Sequence, residues 1–100
     1  MVKIVWSEPA LEDLDRIADY IALQDLAAAQ RLVATVLERV AMLAKFPAMG
    51  SHPPELKGSR YRQLIEPPCR IFYRVDGPHV FILHILRDER RLRPSALRKR

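Results

Sequence analysis

The chain has 100 residues, 49% of them hydrophobic and 29% charged, with 17 Lys/Arg against 12 Asp/Glu for a net charge of +5. That length supports one small domain with one core, and the balance of apolar and charged residues excludes a disordered or fibrous chain. Cys69 is the only cysteine, which excludes an internal disulfide, and without a Cys/His cluster neither a metal nor a cofactor is expected.

Val2-Lys3-Ile4-Val5-Trp6 is rich in β-branched residues and reads as a short strand. With Lys3 inside it, this opening does not read as a secretion leader. No apolar run reaches about 18 residues, so no membrane span is expected and the expected address is the cytosol. Trp6 stands at a strand–helix junction and is expected to anchor the core.

Ser7 suits the N-cap of a helix, Glu8 complements the helix dipole, and Pro9 is tolerated in the first turn. Leu11, Leu14, Ile17, Ala18 and Ile21 then recur at spacings of three and four, the apolar stripe of an amphipathic helix over 8–24. Glu12, Asp13, Asp15 and Asp19 fall mostly off that stripe and read as a solvated face. Asp25 caps a second helix over 26–45, whose stripe is Ala29, Leu32, Val33, Val36, Leu37, Val40, Leu43 and Ala44. Phe46-Pro47 and Gly50 stop it. The short gap between the helices predicts an antiparallel hairpin whose seam lies on a sheet.

Residues 49–59 form a loop with Pro53-Pro54 and Gly58. Tyr61–Glu66 is the next strand, broken by Pro67-Pro68. Cys69–Val75 and Val80–Leu86 follow as a hairpin around Asp76-Gly77, although Pro78 argues against an ideal two-residue turn. Beyond the charged run Arg87-Asp88-Glu89-Arg90-Arg91, residues 94–100 are a basic tail. The order β-α-α-β-β-β predicts an α+β fold: a small antiparallel sheet carrying an antiparallel helical hairpin, as one domain over 1–100.

The charge is uneven. Residues 1–50 carry five Lys/Arg against seven Asp/Glu, and residues 51–100 carry twelve against five, so the basic character lies in the later strands and tail. Strand alternation puts Arg70, Phe72 and Arg74 on one face and Ile71, Tyr73 and Val75 on the other. Guanidinium groups held on a rigid sheet suit an anionic partner: a nucleic acid, a phosphate or an acidic protein segment. Arg60, Arg62, Arg70, Arg74, Arg87, Arg90 and Arg91 are therefore the candidate contacts. The plainer alternative is that they cover the sheet and make rim salt bridges. His84, between Leu83 and Ile85, reads as a packing histidine, Tyr73 as core and Cys69 as an incidental thiol.

The pieces "VKIVWSEPALEDLDRIADYIA", "LAKFPAMGSHPPELKGS", "YRQLI", "CRIFYRVDG" and "VFILHILRDERRL", in this order and spacing, resemble the RelE/ParE superfamily of type II toxin–antitoxin toxins. The resemblance covers nearly the whole chain. It implies a toxin of a plasmid-stabilisation type system, neutralised by a cognate antitoxin that folds onto it. The two long helices and the opening "Trp-Ser-Glu-Pro-Ala" resemble the ParE-like branch, which implies inhibition of DNA gyrase and no chemistry by this chain. RelE-like members instead cleave messenger RNA at the ribosome, and on that reading Arg70 and Arg87 match functional arginines. Against it, no tyrosine follows Tyr73, no histidine lies in Arg87–Arg93, and arginine is a poor general base. No catalytic residue is therefore favoured. A third reading is a degenerate toxin kept as the antitoxin's co-repressor. The apolar residues Leu23, Leu26 and Val33 near the hairpin's edges are expected to meet the antitoxin, and the basic half to contact a target or nucleic acid.

Overall fold

The computed structural model describes residues 1–87. Arg90, Arg91 and the basic tail lie outside the described residues. The elements follow in the expected order: β1 (Lys3–Trp6), α1 (Glu8–Ala22), α2 (Leu26–Ala41), β2 (Tyr61–Glu66), β3 (Cys69–Asp76) and β4 (His79–Arg87). Short 3-10 turns at Met42–Ala44 and Pro54–Leu56 complete it.

Both helices start where their caps dictate. The Ser7 hydroxyl accepts from the Ala10 N–H at 3.1 Å, and the Asp25 carboxylate accepts from the Ala28 N–H at 3.0 Å. Each cap satisfies one of the orphan donors of a first turn and contributes about 1 kcal/mol. α1 turns its buried side through Ala10, Asp13 and Leu14, and α2 through Ala29, Leu32, Val36 and Val40. These faces lie on one side of the sheet with Leu64, Cys69, Ile71, Tyr73, Val80, Ile82 and Ile85, which makes the main core. Trp6 packs against it, partly buried, as expected. Leu11, placed on the stripe by spacing, is instead 47% exposed; the buried line runs through Ala10.

The sheet order is β1-β4-β3-β2. β2, β3 and β4 form the expected antiparallel meander. The first strand differs from a wholly antiparallel sheet: β1 pairs parallel to β4, Lys3 with His79 through Trp6 with Ile82, so the sheet is mixed. The reason is connectivity. The α1–α2 hairpin and β2 return the chain so that β4 runs beside β1 in the same direction, and a parallel pair needs such a long crossover.

Two local features depart from simple alternation. The β3–β4 turn is two residues long, since Asp76 pairs with His79. Gly77 takes φ +57°, open to glycine at no steric cost, and Pro78 occupies the second position. The second feature is a bulge: Phe72 pairs with His84 but Tyr73 with Ile82, leaving Leu83 as the extra residue of β4. Before it, Val80 and Ile82 face the helices; after it, Ile85 does. One inserted residue thus reverses which face every later β4 side chain occupies.

Candidate functional site

The face of the sheet turned away from the helices carries a second, smaller cluster. Phe72 and Leu83 are buried there, with Leu56, Tyr61, Phe81 and Leu86 packed around them. Leu56 comes from the loop that precedes β2. That loop is fastened from both sides of the sheet. From the helix side, the Tyr73 hydroxyl donates to the Pro47 carbonyl at 2.8 Å and accepts the Gly50 N–H at 2.9 Å. Gly50 has no room for a side chain: a Cβ would lie 2.6 Å from the Gln63 carbonyl oxygen and 2.7 Å from the Tyr73 hydroxyl. Ser51 pairs with Gln63, and the Arg62 guanidinium donates to the Gly50 carbonyl at 2.7 Å. Burial pushes the Tyr73 hydroxyl pKa above its ordinary value, with the Gly50 N–H and the Arg62 charge opposing that shift.

On the open side, Arg70 closes the same loop. Its two terminal nitrogens donate to the Glu55 carboxylate at 2.7 and 2.8 Å, and Nε donates to Gln63 Oε1 at 3.1 Å. The guanidinium lies over the Phe72 ring at 4.9 Å. A bidentate pair with these added contacts is a fixed structural clasp.

Arg74, two residues on and on the same face, is held differently. Its guanidinium stacks over Phe81 at 4.6 Å, and its buried Nε finds no hydrogen-bond acceptor among the described residues. An unsatisfied buried donor costs about 1–3 kcal/mol. His79 stacks on the same Phe81 ring, centroids 5.7 Å apart, and Tyr61 is the cross-strand partner of Arg74.

The third arginine lies across the sheet. Arg87 pairs with Cys69, whose side chain is in the main core, and its guanidinium stacks over Tyr20 of α1 at 4.6 Å. Without the Leu83 bulge, Arg87 would share the face of Phe81 and Arg70. The bulge moves it to the helix side, beside a groove between α1 and β4. This groove has a volume of about 250 Å3 and is lined by Asp13, Arg16, Ile17, Tyr20, His84, Ile85, Leu86 and Arg87. It exists because β1 covers β4 only as far as Ile82: Ser7 N–H donates to the Ile82 carbonyl at 3.0 Å, Ser7 Oγ donates to the Leu83 carbonyl at 3.2 Å, and the chain then turns into α1. Asp13 closes the next stretch of the edge. Its carboxylate accepts the Ile85 N–H at 3.0 Å, and the same oxygen accepts a hydrogen bond from His84 Nδ1.

Comparison with known proteins identifies the lineage. Residues 4–92 match the family model for the ParE toxin of the type II toxin–antitoxin system parDE. The chain belongs to the ParE toxin family. A Sinorhizobium fredii protein called "Putative toxin Y4kP" is 40% identical over 73 residues, 73% of this chain and 75% of that one. A chain of a solved structure, described as a chromosomal ParDE TA system from P. aeruginosa, superposes with a TM-score of 0.73 at 32% identity. That match covers 89% of this chain and 98% of the other.

The candidate arginines of this ParE-type toxin do not converge. Arg70 and Arg74 share the open face, Arg87 is on the helix side, Arg62 is bonded to the loop carbonyls, and Arg60 is exposed at the start of β2. Arg90 and Arg91 lie outside the described residues. Leu23 and Leu26 are 83% and 62% exposed at the hairpin's turn, whereas Val33 packs against the core. Among the described residues, no helix is long and apolar enough to cross a membrane.

Asp13, Arg16 and Tyr20, which line the groove, were not legible as site residues. Asp13, expected on a solvated face, is instead buried, and its position along the helix carried a signal for that. It stands three residues after Ala10 and four before Ile17, so it lies on the buried line of α1 and is 6% exposed. A carboxylate there needs polar partners from another element. Tyr20 and Arg16 sit one turn apart and carried no such signal.

Proposed function

We propose that this ParE-type toxin inhibits DNA gyrase through protein contact, without cleaving RNA, and that its cognate antitoxin neutralises it by covering the α1–β4 groove. The observation that carries the first part is the separation of Arg70 and Arg87 onto opposite sides of the sheet. Two guanidinium groups divided by a sheet do not stabilise one developing phosphate charge, and Arg70 already holds Glu55 and Gln63. A toxin that acts by binding needs no such convergence.

Antitoxin capture is supported by what surrounds the groove. Tyr20 is 60% exposed, and Leu23 continues its line one turn on, so an aromatic and an aliphatic side chain stand together on the helix side. Arg16 and Arg87 add positive charge at the groove, which suits an acidic segment of the antitoxin.

The test is supercoiling and cleavage by purified gyrase with this protein added, beside a translation reaction scored for cut messenger. Loss of supercoiling with linear DNA supports the proposal. Untouched gyrase with cut messenger overturns it in favour of a nuclease, and no effect in either assay favours a chain retained only to bind its antitoxin. For the antitoxin, the double variant Tyr20→Ala/Leu23→Glu is expected to lower affinity at least tenfold while leaving gyrase inhibition by the free toxin measurable. Unchanged affinity moves the antitoxin to another surface.

A further inference from the structure

The open sheet face has a second half that the gyrase and antitoxin readings leave unused. Across it runs a row of registered positions: Tyr61 on β2, Arg74 on β3, Phe81 on β4 and Val5 on β1. One step toward the hairpin turn lies a second row, with Asp76 paired to His79 and His79 to Lys3. Tyr61, Arg74, His79 and Phe81 are each partly exposed, and Lys3 is exposed. The loop that caps the Arg70 half does so through Glu55 and Leu56.

We propose that this hairpin end binds single-stranded nucleic acid without sequence preference. Bases would stack on the rings and on the guanidinium plane, and the phosphate backbone would follow Lys3 and Arg60. Three observations meet here. The Arg74 guanidinium lies 4.6 Å over the Phe81 ring, and its buried Nε has no acceptor among the described residues, so the ring contact is what holds it there. Three aromatic residues share this end of the sheet: Phe81 lies under Arg74, His79 stacks on Phe81, and Tyr61 is the cross-strand partner of Arg74. The cations Lys3, Arg60 and Arg74 outnumber the one carboxylate of the patch, Asp76.

Size agrees. With strands about 4.8 Å apart, the row from Tyr61 to Val5 spans about 14 Å, comparable to the four-stranded sheets that stack two or three bases. An acidic peptide would use the same charges but not the rings. The abundance of ring faces is what favours bases, since every base presents one and stacking tolerates any sequence. The inference does not depend on the toxin's target.

The experiment is fluorescence anisotropy of the full chain with a labelled twelve-nucleotide oligo-dT, an abasic strand of equal length and charge, and a poly-glutamate peptide. Arg74→Lys keeps the charge but loses the plane, and Phe81→Leu keeps apolar bulk but loses the ring. Circular dichroism confirms that both variants are folded. The expected result is binding to oligo-dT that is at least tenfold tighter than to the abasic strand and weakens at least fivefold in each variant. Equal affinity for the two strands overturns the proposal, because it reports charge alone. So does wild-type affinity in both folded variants. Binding of poly-glutamate in place of oligo-dT, lost in Arg74→Lys, assigns the patch to an acidic protein and also overturns it.

Discussion

Arg70 and Arg74 lie two residues apart on one face of one strand, yet their surroundings oppose each other. Arg70 is buried, forked onto Glu55 and bonded to Gln63, and it closes a loop over half of the open face. Arg74 has a ring beneath it, a tyrosine as cross-strand partner and an Nε without an acceptor among the described residues. The difference originates outside the strand. The loop before β2 brings a carboxylate to one arginine and none to the other. Like charges on one strand therefore report nothing about function until their partners are known, because a guanidinium already satisfied inside the fold has few donors left for a ligand.

The contrast breaks if the two arginines contribute alike to stability. Arg70→Ala leaves Glu55 and Gln63 partly buried without their cation and is expected to cost about 3 kcal/mol in urea denaturation. A loss below about 1 kcal/mol would show that the loop does not depend on the clasp. Gly50→Ala attacks the same loop from the helix side. A methyl there meets backbone and the Tyr73 ring, so the expected cost is about 2–3 kcal/mol, and an unchanged midpoint would mean that the loop yields freely.

Tyr73→Phe removes the hydroxyl that holds Pro47 and Gly50, with an expected cost of about 1–2 kcal/mol. The same hydroxyl makes stability depend on pH. The folded-state pKa of Tyr73 is raised above 10.0 chiefly by burial, so the unfolded chain loses this proton first. Its contribution is fully present below the unfolded value and is lost as pH rises through the folded one. Stability of the parent chain should therefore fall more steeply than that of the Phe variant above about pH 10, read from urea midpoints across that range. Parallel curves would place the hydroxyl in water. The smallest effect belongs to Arg74→Ala, which breaks no hydrogen bond among the described residues and removes a buried donor that finds no acceptor among them. Its expected cost is below about 1 kcal/mol, and a larger loss would make Arg74 as structural as Arg70.

Much of this protein is local. The periodicities at three and four, the caps Ser7 and Asp25, and the breakers Pro47 and Pro67-Pro68 place both helices and the meander within a few residues, because caps, stripes and turns act over one or two turns of chain. The family is legible for the same reason, since its signature is an order of such elements. The site was less legible. Four decisions depend on residues far apart in sequence: the parallel seating of β1 on β4, the bulge at Leu83 that carries Arg87 to the helix side, the reach of Glu55 to Arg70, and the burial of Asp13 against Ile85. No local rule encodes them. A bulge forms where two strands' registers must both be satisfied, and a charged side chain takes its role from whichever group the fold sets within about 3 Å of it. Local patterning is enough to seat Arg62, Arg70, Arg74 and Arg87 on strands, but whether each is clasped like Arg70 or stacked on a ring like Arg74 follows from long-range packing.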